Sequence, residues 1–119
     1  MIRWHLLLFA VCSAFSNLLA QEYNLRKLQT EQKLSNDHVQ AIFKDSDGYM
    51  WFGTSNGLNR YDGTTIKSFL ADKGDSSALF SNDIYDIFEG IEGDLWLKNE
   101  DSIFNVFSKN KGIFIRDRK

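Results

Sequence analysis

The stretch "DGYMWFGTSNGLNRYDG", residues 47 to 63, sets Asp-Gly, Asn-Gly and Asp-Gly pairs around two short runs that carry Trp51 and Tyr61. Two-residue hairpin loops favour positive φ, which Asp-Gly and Asn-Gly tolerate best. The spacing therefore predicts short antiparallel strands joined by tight turns, with Gly48, Gly57 and Gly63 serving the turns rather than touching a ligand. Working outward, "HVQAIFKD" (38–45) is a β-rich run before this stretch and "TTIKSFL" (64–70) another after it. With "YMWFGT" and "LNRYDG" between them, four strands are expected in a row.

The same pattern returns 45 residues later. "LSNDHVQAIFKDSDGYMWF" (34–52) lies without gaps over "LFSNDIYDIFEGIEGDLWL" (79–97), so that Leu34 meets Leu79, Ile42 meets Ile87, Gly48 meets Gly93 and Trp51 meets Trp96. With one extra residue the match runs on as "GLNRYDG" over "SIFNVFSK", which sets Tyr61 against Phe107. A repeat of this length with four antiparallel strands is the period of a β-propeller blade. One such sheet cannot bury both faces alone, so blades stack face to face around an axis. The fold expected is all-β, about two blades of an incomplete propeller: residues 34–78 as blade 1 and 79–119 as blade 2. Residues 21–33, with "EYNLRKLQ", are expected to supply the lone strand that closes such a ring. Trp51, Trp96, Ile42, Ile87, Tyr61 and Phe107 are expected in the core, the two indoles filling the seams between blades. Gly93 is expected in a turn, like its counterpart Gly48.

Composition fits a packed domain: 43% hydrophobic residues, with ten Phe, four Tyr and three Trp, are too many for a disordered chain. A formal net charge of −2 with interspersed signs leaves no basic face to neutralise phosphates, so no nucleic-acid partner is expected. The cluster Arg116, Arg118 and Lys119 reads as a solvated chain end. Residues 1–20 read as an export signal: Arg3 and His5 precede "LLLFAVCSAF", and "NLLA" offers a small residue before Gln21. Ser13, Ser16 and Asn17 interrupt the apolar run too early for a membrane span; a buried N-terminal helix is the alternative. Cys12, the only cysteine, lies in that segment, so neither a disulfide framework nor a cysteine metal site is expected after cleavage. Phe9 and Val11 suit a lipid-attachment context poorly.

At "LSNDHVQAIFKDSDGYMWFGTSNGLNRYDG" the chain resembles the propeller repeat of two-component regulators. The matching positions are Leu34, Ser35, Asp37, Val39, Ile42, Asp45, Gly48, Trp51, Gly53, Thr54, Gly57, Leu58, Arg60, Tyr61 and Asp62. The second repeat departs from the pattern: Lys98 and Asn99 stand for Gly53 and Thr54, Ser102 for Gly57, and the arginine is lost. The resemblance covers residues 22 to about 115. It implies the N-terminal part of a hybrid sensor histidine kinase of the kind common in gut Bacteroidetes, whose periplasmic propellers sense glycan fragments and whose transmembrane helix passes the signal to a cytoplasmic kinase. It also implies an inner-membrane anchor and a homodimer in the full-length relatives. No spanning helix, phospho-accepting histidine or ATP-binding glycine box is read in this sequence, so it is expected to signal only as part of a longer chain. A short lectin-like protein that builds a ring from several copies is the alternative.

The constellations of enzyme chemistry do not assemble. "DSDG" (45–48) fails as a calcium loop, because Gly48 is fourth rather than sixth and the twelfth residue is Asn56. The Asp of a sialidase-type box is replaced by Ser46 and by Ile91. His38 has no serine nucleophile patterned around it, and Asp45, Asp47, Glu92 and Asp94 fall in turns, where they are common for backbone reasons. No catalytic residue, cofactor or metal is expected. Propeller ligands sit at the mouth of the central channel. Asn36, Asp37, Asn82 and Asp83, in the segments leading into the innermost strands, carry the groups an oligosaccharide needs, unless they cap their own turns.

Overall fold

The computed structural model describes residues 33–101 and 104–116. The export signal and nearly all of the 21–33 strand therefore lie outside the described residues. Eight strands are present among those described: β1 (Val39–Lys44), β2 (Met50–Thr54), β3 (Gly57–Tyr61), β4 (Ile66–Phe69), β5 (Asp86–Glu89), β6 (Leu95–Lys98), β7 (Phe104–Ser108) and β8 (Ile113–Arg116). They form two four-stranded antiparallel sheets, each a meander in chain order. These are two propeller blades. Met50 pairs with Tyr61 in the first and Leu95 with Phe107 in the second, so the equivalence of Tyr61 and Phe107 survives the one-residue insertion.

The turns follow the chemistry of the sequence. Gly48, Gly57, Gly63 and Gly93 all have positive φ, at 90°, 115°, 102° and 85°. Gly57 sits at the first position of β3 rather than inside the loop, directly across from Thr54. The β1–β2 turn is built around Asp45, whose Oδ1 accepts from the backbone N–H of Asp47 (3.0 Å) and of Tyr49 (2.9 Å).

Side chains alternate across a strand, so register fixes what each face presents. In blade 1, Ala41, Phe43, Trp51, Gly53, Leu58, Arg60, Lys67 and Phe69 share one face, and Ile42, Lys44, Met50, Phe52, Asn59, Tyr61, Ile66 and Ser68 share the other. The first face is covered by blade 2. Against it lie Ile87, Leu95, Leu97, Phe107 and Phe114, all buried, joined by Leu79 and Ile84 from the connection between blades. Trp51 is 1% exposed. Its ring stands 5.4 Å from Phe107 and 6.0 Å from Phe69, and Phe114 meets Phe107 at 4.9 Å, so four aromatics close the seam. At the inner end the connection runs very close to β2: a Cβ on Gly53 would stand 2.7 Å from Ile84 Cγ2 and 2.9 Å from the Ile84 carbonyl oxygen. Glycine is the residue that admits this approach.

Three of the expected core residues sit elsewhere. Ile42 is 64% exposed and Trp96 is half-buried, although their counterparts Ile87 and Trp51 are interior. The reason is translational. Blade 2 lays its Ile87 face on the Trp51 face of blade 1, which leaves the Ile42 face of blade 1 and the Trp96 face of blade 2 without a neighbour among the described residues. Tyr61, on the Ile42 face, is likewise only half-buried, and its hydroxyl donates to the Gly63 carbonyl at 2.6 Å.

Candidate functional site

The two segments that carry the four polar residues expected at the channel mouth flank one turn. The β2–β3 turn, residues 54–57, receives the lead-in of blade 1 on one side and that of blade 2 on the other. Ser55 N–H donates to the His38 carbonyl at 3.1 Å, Gly57 N–H to the Asn82 carbonyl at 2.6 Å, and Ile84 N–H to the Thr54 carbonyl at 3.0 Å. Asn36 uses its Oδ1 locally, accepting from His38 N–H at 2.8 Å. Asn82 Oδ1 accepts from Ala71 N–H at 2.6 Å, which ties the blade connection down. Both asparagines therefore serve backbone. The carboxylates of Asp37 and Asp83 make no hydrogen bond or ion pair among the described residues, Asp37 exposed and Asp83 half-buried. These two carboxylates are the acceptors left open beside the turn.

The turn adds residues that spacing did not single out. Ser55 Oγ lies 2.8 Å from His38 Nδ1, at the surface. The serine was invisible as a partner because seventeen residues and a full hairpin separate it from the histidine. The pair lacks a carboxylate on the other ring nitrogen among the described residues, so the arrangement is a polar contact rather than a nucleophile with its base and orienting acid. Asn59, fully buried beneath, holds the lead-in of blade 1: its Oδ1 accepts from Ser35 N–H at 2.9 Å and from Ser68 Oγ–H at 2.7 Å.

A second polar cluster lies at the opposite, β1–β2 end of the seam. Lys109 Nζ meets Glu89 at 2.5 Å, Asp47 at 3.0 Å and Asp45 at 3.3 Å. Asp45 is buried and also accepts from Trp51 Nε1–H at 2.8 Å. Ser46 crosses the seam to Glu89 through its N–H (3.0 Å) and its hydroxyl (2.7 Å). Partial burial alone would lower the Lys109 ammonium, but hydrogen bonds to Glu89, Asp47 and Asp45 outweigh it and hold it above the ordinary lysine range. Donation from Lys109, then from Ser46, holds the Glu89 carboxyl below its usual value. Arg60 lies beside this cluster with its guanidinium 4.6 Å above the Tyr49 ring, a cation–π contact. The bonds of Lys109 to Asp45 and Asp47 and of Ser46 to Glu89 run from one blade to the other, which makes this a clamp between blades.

Meandering four-stranded blades packed face to face define a β-propeller segment. Residues 33–56 match the family described as the two component regulator propeller. The chain is similar to the extracellular domain of a protein described as the hybrid two component system BT3049 from B. thetaiotaomicron, with 26% identity and a TM-score of 0.67 over 76% of this chain and 13% of that one. It is also similar to the extracellular domain described as the one component system BT4673 from B. thetaiotaomicron, with 29% identity and a TM-score of 0.55 over 66% of this chain and 11% of that one. The chain thus spans about one eighth of the length of the solved relatives it matches. No curated protein matches the sequence.

Proposed function

We propose that this chain is an extracytoplasmic, ligand-sensing propeller segment of a two-component sensor, exported by residues 1–20 and acting together with a histidine kinase part. The reading is supported by the repeat at 33–56 and by similarity to extracellular domains of such systems. Its ligand is a glycan-derived oligosaccharide, and the surface that meets it is the β2–β3 turn with its two lead-ins. The observation that carries the assignment is the pair of unpartnered carboxylates, Asp37 and Asp83, placed beside the same turn as Ser55, Asn56 and His38. Open acceptors grouped with hydroxyl, amide and imidazole groups suit a ligand made of hydroxyls. Further blades cover the two open faces and complete the ring, and the assembled sensor works as a homodimer. No part of this reading requires turnover of the bound sugar.

The test is calorimetric titration of the chain with a panel of neutral, acidic and sulfated oligosaccharides. Binding to one class with affinity in the micromolar range, weakened at least tenfold by Asp37→Ala and by Asp83→Ala, is the expected result. Silence across the panel, or binding indifferent to both substitutions, rejects the site.

A further inference from the structure

Three places in the chain set an acid or its amide directly before glycine: Asp47–Gly48, Asn56–Gly57 and Asp62–Gly63. Such pairs form turns, and they are also reactive. With no side chain to hinder it, the glycine amide nitrogen attacks the terminal carbon of the preceding side chain and closes a five-membered imide. The two aspartates are restrained, because an ionised carboxylate is a poor electrophile and both are held: Asp47 by Lys109, and Asp62 by the N–H groups of Thr64 and Thr65 and the Thr65 hydroxyl. Asn56 is not. It is exposed, and its side-chain amide makes no hydrogen bond among the described residues. The electrophile of the reaction is therefore open.

The fold withholds the nucleophile. Gly57 N–H, whose proton must leave before its nitrogen can attack, donates to the Asn82 carbonyl in the lead-in of blade 2 at 2.6 Å. Gly57 is buried, and the space at its Cα is filled: an added Cβ would stand 2.7 Å from Leu70 Cδ2, 2.8 Å from the Phe69 carbonyl oxygen and 3.1 Å from Ser35 Oγ. Thr54 pins the chain on both sides of the reacting bond. Asn56 N–H donates to Thr54 Oγ1 at 3.1 Å, and the Thr54 hydroxyl donates to the Gly57 carbonyl at 2.8 Å. Asn82 is itself anchored, its Oδ1 accepting from Ala71 N–H, and Ile84 N–H fastens the same lead-in to the Thr54 carbonyl. The Gly57 proton is thus released only when the lead-in of blade 2 lifts off the β2–β3 turn. Both sides of this contact are described residues of the closed seam, so it stands whatever covers the two open faces.

We propose that Asn56–Gly57 is a self-modification site gated by the seam, inert while the lead-in of blade 2 is seated and deamidating when it lifts. The Gly57 proton passes to solvent base, the nitrogen bonds to Asn56 Cγ, and the Cγ–Nδ2 bond breaks with release of ammonia. Water then opens the imide. Cleavage of the new N–Cγ bond leaves aspartate at position 56, whereas cleavage at the Asn56 backbone carbonyl leaves isoaspartate, whose main chain is longer by one carbon. Either product adds a carboxylate to the turn that Asp37 and Asp83 already flank. The longer main chain also shifts Gly57 from its place across from Thr54 and takes its N–H off Asn82. Isoaspartate therefore prevents reseating, and the pair acts as a one-way latch on blade separation. The oligosaccharide reading neither supplies nor requires this site.

Peptide mass spectrometry that resolves asparagine, aspartate and isoaspartate at position 56, after incubation in mildly alkaline buffer, tests this. Conversion in the native chain is expected to be at least about tenfold slower than in urea, because local opening must come first. Asn82→Ala, which frees the lead-in from Ala71, is expected to raise the native rate about three- to tenfold, and Lys109→Met, at the opposite end of the seam, to leave it within about twofold. Hydrogen exchange of the unmodified chain needs no variant: the Gly57 amide is expected among the protected ones, and to lose that protection in the isolated isoaspartyl product. Four results overturn the proposal: conversion as fast in the native chain as in urea, conversion in neither, an unprotected Gly57 amide, or equal acceleration by the two substitutions, which would mark global unfolding as the route. None of them bears on oligosaccharide binding, which is read at Asp37 and Asp83.

Discussion

Trp51 and Trp96 occupy the same position in two successive sheets, yet Trp51 is sealed between blades with its N–H on Asp45, and Trp96 lies half-open beside Gly90. The sequence around each indole is nearly the same. What differs is whether a further blade stands in front of it, and the energetics of the molecule follow from that difference.

Removing the two indoles should therefore have unequal effects. Trp51→Ala opens a cavity beside Phe69 and Phe107 and removes one of the donors to the buried Asp45 carboxylate, and should cost about 3–5 kcal/mol. Trp96→Ala should cost about 1–2 kcal/mol, since that side chain is only partly buried and no further blade covers it among the described residues. Urea unfolding followed by circular dichroism checks both.

Gly53 is a steric requirement of the seam. Gly53→Ala sets a methyl against Ile84 at 2.7 Å from Cγ2, and the backbone oxygen behind it cannot yield, so a loss of about 1–3 kcal/mol is expected. Lys98→Gly, at the equivalent position with no further blade against it among the described residues, should cost less than about 1 kcal/mol. Thermal melts of the two variants side by side separate the effects.

The inter-blade clamp should give stability a defined pH window. Glu89 has a folded value below the ordinary 4.5, so its contribution is present above that value and is lost as pH falls through the lowered one. Lys109 has a folded value above the ordinary 10.5, so its contribution is present below 10.5 and is lost as pH rises beyond it. Stability should hold between these limits and decline outside them. Lys109→Met should flatten the acid limb by freeing Glu89 of its main partner. Equilibrium unfolding from pH 3 to 11, an experimental range of about eight units, reads this directly.

Asn59 and Asn105 make a contrasting pair at equivalent positions. Asn59 holds Ser35 and Ser68, so Asn59→Leu leaves the Ser35 N–H unsatisfied and should cost about 1–3 kcal/mol. Asn105 is 5% exposed, and neither its Oδ1 nor its Nδ2 has a hydrogen-bond partner among the described residues. Asn105→Leu should be neutral or stabilising by up to about 2 kcal/mol. A measured loss at Asn105 comparable to that at Asn59 would show that the second amide is held after all.

Strand positions, turn glycines and the register of the two repeats were legible because they depend on local alternation and on positive φ, which a run such as "YMWFGTSNGL" displays openly. Which copy of a repeated residue is covered was not legible. Ile42 and Ile87 have near-identical contexts, and only the order of stacking decides that one meets solvent and the other does not. The Lys109 clamp was hidden for another reason: its ammonium reaches Asp47 across 62 residues, and no period of the repeat links the two. In the candidate site, the sequence pointed to the right segments but could not divide Asn36 and Asn82, which serve backbone, from Asp37 and Asp83, which stay open.

The central claim is that a single seam, filled by Trp51, joins the two blades, and that the equivalent surface at Trp96 has no cover among the described residues. Acrylamide quenching of single-tryptophan variants tests it most directly, with Trp4 and one of the other two indoles replaced by Phe. The account predicts strong shielding of Trp51 and several-fold faster quenching of Trp96; equal quenching of the two, or a shielded Trp96 beside an open Trp51, contradicts it.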